Sequence, residues 1–469
     1  MLTYDVKIWG IRQRANRANA FQLRWRVGIT PHSKSYKIKE QADGRRSELL
    51  TALRNHEQFD EATGLPASEF RRLQTPTWYQ HACAYALMKW PNVSAKHRAG
   101  IADALATITP VLVKDTRGAP APRVLRAALY SWAFRFQRDT ATGSLRARSE
   151  TEEPPADIAA ALDWIARKSV DANELDKAVR LRPALDALSL KMDGTKAAET
   201  TIHRKYTVFS NALRYAVERE VLTTFPLGKV DWQPPETDDE IDFRYVPSPA
   251  QARLLIAAVG EQGPRGEHLA AFFGCLYYAA MRPGEAAALD AAACHLPPAP
   301  KGDEAETEWG ELLLSESRPE VGSGWTDDGR PFDKRGLKRR ARKATRSVPI
   351  PPVLVGMLRR HRKRYGTAPD GRLFRAAGGG RVRSTEYTDL WKSAREKALP
   401  PHDVTTPLAD VPYALRHAGV SLWLSSGVDP TEVARRAGHS VAVLFRFYAK
   451  VIKGRQSQDN DRIARALAQ

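Results

Sequence analysis

The chain has 469 residues, 42% of them hydrophobic, with eleven Trp, and its 73 Lys and Arg against 54 Asp and Glu give a net charge of +19. This content excludes a wholly disordered chain, the length allows about two to four domains, and no run of about 18 apolar residues offers a membrane-spanning helix. A basic excess of this size selects a polyanion as partner, duplex nucleic acid first, although a general basic bias would give the same charge.

The first residues, MLTYDVKIWG, lack the apolar core of a signal peptide. Cys83, Cys275 and Cys294 form no CxxC pair and leave an odd count, so a reducing, cytoplasmic setting without structural zinc or other cofactor is expected. Residues 1–64 read as a small β-rich module. In FQLRWRV, Phe21, Leu23, Trp25 and Val27 alternate with Gln22, Arg24 and Arg26, the period of a half-buried strand. DVKIW before it and KSYKIK after it, with Lys37, are its candidate neighbours. Residues 1–72 hold fourteen Lys and Arg and eight Asp and Glu, so the polar face of such a sheet suits phosphates, or is a solvated strand face.

From about 70 to 228 the pattern is helical, with Ala and Leu spacing and little strand signal. Its clearest helix starts at Thr200, where Tyr206, Phe209, Leu213 and Val217 recur at helical steps and His203, Arg204 and Lys205 lie near the start. GKVDWQPPETDDEIDF, residues 228–243, is Pro-rich and acidic and places a linker at 229–244. The last domain runs from 245 to 469. In MRPGEAAAL, Pro283 opens a helix and holds Arg282 extended before it, at a helix N-terminus whose field favours an anion. Glu285 caps that helix or orients Arg282. From Trp309 to Ile350 the pattern turns to short strands, with eight Lys and Arg and one acid between Pro331 and Arg346.

YALRHAGVSLWLSSGVDPTEVARRAGHSVAVLFRFYAK, residues 413–450, predicts three short helices. Leu415, Ala418 and Leu422 make one stripe, with Arg416 off it; Asp429, Pro430 and Glu432 start the second helix, and Gly438 ends it. Val441, Leu444, Phe445 and Tyr448 share a face of the third. An aromatic on such a face is core in most helices, a His after a C-terminal Gly is as often a cap as a ligand, and His417 reads as packed or hydrogen-bonded inside.

The run LRH, then GH, then Tyr448 nine residues after His439, preceded by RPGE far upstream, resembles the boxes of the tyrosine recombinases, the phage integrase family. The resemblance implies an α+β multidomain protein: a β-rich arm-binding module, a helical core-binding domain that clamps DNA with the next domain, and a mainly helical catalytic domain with a small antiparallel sheet. It implies site-specific recombination, the integration and excision of a mobile element, through a 3′-phosphotyrosyl intermediate and a four-way junction. The implied catalytic set is Arg282, Lys338, Arg416, His439 and Tyr448. The lysine stands on a β-hairpin in LKRRARKATRSVPIP, with Lys334 and Lys343 as competitors because register is not fixed by sequence.

Chemistry supports the pattern. A phenol keeps the bond energy of the broken phosphodiester, paired guanidiniums suit the extra charge on the phosphorane, an imidazole donates to the phosphate or handles the tyrosine proton, and a lysine protonates the leaving 5′ oxygen. The implied partners are duplex attachment sites, a homotetramer on DNA and accessory bending or directionality factors, with no membrane. Arg24, Arg26, Lys37, His203, Arg204, Lys205, Arg339 and Arg340 are candidate DNA contacts. One departure stands out: where the family has HxxR, this chain has Tyr413 in YALR, and a phenol near pKa 10 is no neutral-pH base. The alternative is a catalytically silent architectural or regulatory protein with the same fold; a strand-cleaving topoisomerase ranks last. The segment after Tyr448 ends in an amphipathic helix with Arg462, Ile463 and Leu467, which in the family packs on a neighbouring subunit.

Overall fold

A computed structural model describes residues 1–15, 18–139, 141–236, 241–302, 304–337, 344–453 and 456–468, with backbone alone for 71–74, 449–453, 456–459 and 461–462. The chain divides into two compact units. One takes Met1–Met88, Ile101–Phe134 and Ala147–Pro234, and the other Lys89–Gly100, Arg135–Arg146 and Pro235–Gln469. Most of the β-rich and helical regions before the Pro-rich stretch therefore share one unit.

In the first unit, strand Phe21–Val27 is central. It pairs antiparallel with Val6–Ile8 and Arg12–Gln13 on one side and Thr30–Tyr36 on the other. The alternation in FQLRWRV buries Leu23, Trp25 and Val27, as the period requires, but Gln22 is buried too. Helix Lys39–Arg54 covers the apolar face with Leu49 and Ala52. This helix adds to the β-rich reading of residues 1–64. It escaped notice because its burial rests on three residues, Ala42, Leu49 and Ala52, too few to make a stripe.

Of the candidate DNA contacts here, Arg24 is exposed with its guanidinium over the Trp9 ring, Arg26 pairs with Asp5 at 3.0 Å, and Lys37 is exposed. Helix Glu199–Glu218 buries Ile202, Lys205, Phe209 and Leu213, while Tyr206 and Val217 are half-buried. The inner face is thus rotated from the expected one. Lys205 is corrected as a DNA contact: it is buried and donates to Thr107 Oγ1 at 2.8 Å. His203 is exposed, and Arg204 pairs with Asp103 at 2.9 Å.

The second unit is built on helix Gly263–Tyr278, whose Leu269, Phe272, Phe273 and Leu276 are fully buried. Around it pack Pro249–Gly260, Pro352–Tyr365, Ser384–Ala398 and Ala414–Ser425. Phe273 stacks on Trp391 at 5.3 Å between ring centres. Gly419 permits the approach of helix Ala414–Ser425, since a Cβ there would lie 2.1 Å from the Tyr277 carbonyl. A three-stranded antiparallel sheet orders Arg346–Ile350, Gly310–Leu314 and Cys294–His295, with Leu312 opposite Val348 and Leu314 opposite Arg346. ELLLSES and RSVPI are therefore strands, as expected, and the period of two turns Arg346 inward beside Val348 and Ile350.

Helices Ala414–Ser425, Pro430–Ala437 and Val441–Lys453 follow in the expected order, then Gln456–Leu467. Asp429 caps the second through Thr431 and Glu432 N–H, but Glu432 bonds Arg435 and Arg436 instead of completing a capping box. In the third, Leu444 and Tyr448 are buried while Val441 and Phe445 are largely exposed, so the shared apolar face is only half used. Ile463 and Leu467 are exposed. The three cysteines are free thiols, and no helix among the described residues is long and apolar enough to cross a membrane.

Candidate active site

Four segments of the second unit converge on one cavity of about 690 Å³, lined by Arg282, Tyr413, His417, Gly438, His439, Ser440, Val443, Arg446, Phe447 and Tyr448. Pro283 at the first helical position leaves Arg282 extended (φ −75°, ψ 147°) as the N-cap of Pro283–Ala286. Glu285 serves both roles read for it. Its Oε2 accepts from the Arg282 N–H at 2.9 Å, and its Oε1 accepts from Arg282 Nη1 at 2.8 Å.

Glu285 also carries a second guanidinium that the sequence reading missed. Arg346 donates Nη1 to Oε1 at 3.1 Å and Nη2 to Oε2 at 2.7 Å, with both side chains 1% exposed. Burial alone would push the Glu285 carboxyl up; Arg346 and Arg282 outweigh it and hold it at about 2. Its signal was in RSVPI, where a period of two puts Arg346 on the face of Val348 and Ile350.

Arg416 lies under the cavity wall, 1% exposed. It donates to the Ala280 and Ala437 carbonyls, the latter at 2.7 Å, and to His439 Nε2 at 2.8 Å. Arg282 Nη2 reaches the Gly438 carbonyl at 2.9 Å. Gly438 is left-handed (φ 66°), and a Cβ on it would meet Arg346 Nη1 at 2.1 Å, so glycine is required twice over.

A guanidinium only donates, so His439 Nε2 accepts, and a neutral ring must carry its proton on Nδ1. That Nδ1 is buried with no partner among the described residues. Burial, then Arg416 and Arg282, push His439 down to about 3, which keeps it neutral near pH 7. His417 Nδ1 lies 3.0 Å from Tyr448 Oη. Burial and Arg416 push His417 down to about 4, and burial raises the Tyr448 phenol above its ordinary value. Tyr448 interrupts its helix (φ −121°, ψ 20°), and Tyr413 sets its ring edge-on to His417 at 5.0 Å.

The structure thus brings together Arg282, Glu285, Tyr413, Arg416, His417, His439 and Tyr448, and adds Arg346, Ser440 and Arg446. Lys334 is not among the residues lining this cavity and lies 3.5 Å from Glu316. Lys338, Lys343, Arg339 and Arg340 lie outside the described residues.

No protein-family model matches the chain, and no curated protein does. Solved structures that resemble it include integrases and site-specific recombinases. The Tn1549 transposon integrase in complex with transposon right end DNA has 16% identity over 68% of this chain and 96% of that one, with a TM-score of 0.45. The XerH site-specific recombinase bound to palindromic difH substrate has 10% identity over 81% and 94%, with a TM-score of 0.44. The catalytic domain of bacteriophage HP1 integrase has 17% identity over 44% and 88%, with a TM-score of 0.25.

Proposed function

We propose that this chain is a DNA strand-breaking and rejoining enzyme of the tyrosine recombinase type, a site-specific integrase of a mobile element. The observation that carries the reading is the charge of the cavity. Among the described residues, Arg282, Arg346 and Arg416 lie around a single carboxylate, Glu285, and both histidines are neutral near pH 7, so these groups hold a net positive charge beside a phenol. An anion is the complement of that arrangement, and a phosphodiester is the anion on which a tyrosine oxygen performs useful chemistry.

In this reading Tyr448 Oη attacks phosphorus and leaves a 3′-phosphotyrosine with a free 5′ hydroxyl. Arg282 holds a non-bridging oxygen from the wall, and Arg416 acts through its charge from beneath, where burial limits screening. His439 donates through Nδ1 to the same phosphate. Lys338, or Lys334 or Lys343 in its stead, protonates the leaving 5′ oxygen. Residues 1–64 bind arm-type sites, 70–228 grip the core site, 229–244 link, and 245–469 catalyse. Attachment-site DNA, a homotetramer and accessory bending or directionality factors are the partners, in the cytoplasm.

The test is a suicide substrate: duplexes with randomised cores, nicked near the crossover so that the freed 5′ fragment diffuses away. A denaturation-resistant protein–DNA adduct with wild type and none with Tyr448→Phe is the expected result. The 1% exposure of Tyr448 and the Tyr413 substitution favour a second reading, a silent DNA-binding protein of the same fold. Sequence-selective binding by both proteins without any adduct would establish that one instead.

A further inference from the structure

Resting on the phosphotyrosine reading, we propose that His417 is the catalytic residue that accepts the phenolic proton of Tyr448 as its oxygen attacks phosphorus. Three observations on geometry carry this. First, His417 Nδ1 and Tyr448 Oη are 3.0 Å apart, the distance a proton crosses without a relay. Second, His439 is excluded from the task. Its Nε2 lone pair is engaged by Arg416 and its other nitrogen carries the proton, so no basic nitrogen faces the phenol. Its ring centre is also 6.3 Å from that of Tyr448.

Third, the ring of His417 is held in place. It packs edge-on against Tyr413 at the start of its own helix, and both line the cavity that would receive the phosphate. Among the described residues, the titratable and charged groups around it are Tyr413 and Arg416 on its own helix, Tyr448 and Arg446 on the last helix of the site, and Arg282 and His439 across the cavity. Burial keeps the ring neutral near pH 7, so its lone pair is available without prior deprotonation.

The step balances. The Tyr448 Oη–P bond forms, the P–O5′ bond breaks, the phenolic proton moves to His417 Nδ1, and the 5′ oxygen takes a proton from the lysine named above. The imidazolium so formed would be repelled by Arg416 and Arg282, and the bound phosphate offsets that repulsion. On rejoining, the 5′ hydroxyl returns its proton to the now neutral lysine as its oxygen attacks phosphorus, the Tyr448 Oη–P bond breaks, and His417 returns its proton to the leaving phenolate.

The experiment measures single-turnover adduct formation by wild type, His417→Ala and His417→Gln. The substrate is one defined duplex, sequenced from the adducts that wild type makes with the randomised pool. The expected loss in both variants is roughly 100- to 1,000-fold, with gel-shift affinity and thermal midpoint retained. Added imidazole restores His417→Ala in proportion to its free-base concentration. The variants' rates climb about tenfold per pH unit while wild type stays flat between about pH 6 and 8. Variants that cleave at the wild-type rate overturn the proposal, and so do folded, DNA-binding variants that neither respond to imidazole nor change pH slope. Wild type that forms no adduct removes the phosphotyrosine reading itself.

Discussion

Arg346→Met tests whether the shared carboxylate organises the site. The methionine fills the space with a neutral chain, so the change isolates the charge. The fall of Glu285 from its ordinary 4.5 to about 2 corresponds to about 3 kcal/mol of net stabilisation from the two guanidiniums against burial. Arg346 is the larger contributor, and removing one partner of a buried pair typically costs about 3–5 kcal/mol. Because Arg282 remains, the expected loss of folding stability at pH 7 is about 2–4 kcal/mol.

The sign with pH follows from the depressed carboxyl. In wild type, Glu285 contributes its stability above pH 4.5 and loses it as the pH falls toward 2. In the variant the buried carboxyl keeps Arg282 but loses its larger partner and is raised, so acidification neutralises it at a higher pH than in wild type and relieves the penalty. Urea unfolding followed by tryptophan fluorescence, with Trp391 buried in this unit, reads both effects. The gap between wild type and variant is expected to narrow from pH 7 to 5, and adding Glu285→Gln is expected to recover much of it. A loss below about 0.5 kcal/mol at pH 7, or a gap that widens on acidification, would refute the reasoning.

Gly438→Ala forces a Cβ into a left-handed residue and against Arg346, so a stability loss of about 1–2 kcal/mol together with a strong fall in adduct yield is expected, read by thermal melts and gels. The neutral histidines predict an acid-side loss of stability: with folded values of about 4 for His417 and about 3 for His439 against 6.5 unfolded, stability is full above pH 6.5 and drops as the pH falls toward 4. His417→Gln is expected to flatten that slope in pH-dependent urea melts; an unchanged slope counts against it. Deleting residues 457–469, which removes exposed Ile463 and Leu467, is expected to weaken tetramer assembly on DNA without altering monomer binding, measured by mass photometry.

Much of the cavity lining was legible because local signals fix its segments. Pro283 fixed the pose of Arg282, Asp429 and Gly438 bounded one helix, and the order of Arg, His and Tyr pointed to phosphoryl transfer. What was hidden depends on distant pairing. Arg346 looked like one more residue of a basic run until strand pairing opposite Leu314 turned it inward. His417 gave no sign of reaching Tyr448, 31 positions away, because helix periodicity does not say which rings meet across a cavity. Lys205 shows the reverse error: a cation near a helix start suggested DNA, and tertiary packing placed it inside on Thr107. Helix Lys39–Arg54 stayed hidden because a few small residues suffice to seat it on the sheet.

The carbonyls of Ala437 and Gly438, which accept from Arg416 and Arg282, stand where helix Pro430–Ala437 ends. A helix terminus of this kind carries about half a negative charge. The guanidiniums are therefore already facing a built-in partial counter-ion, one attached to the backbone and unable to diffuse away. It lets like charges crowd together in the empty cavity, and because it is only fractional, a full anionic charge still gains by joining it.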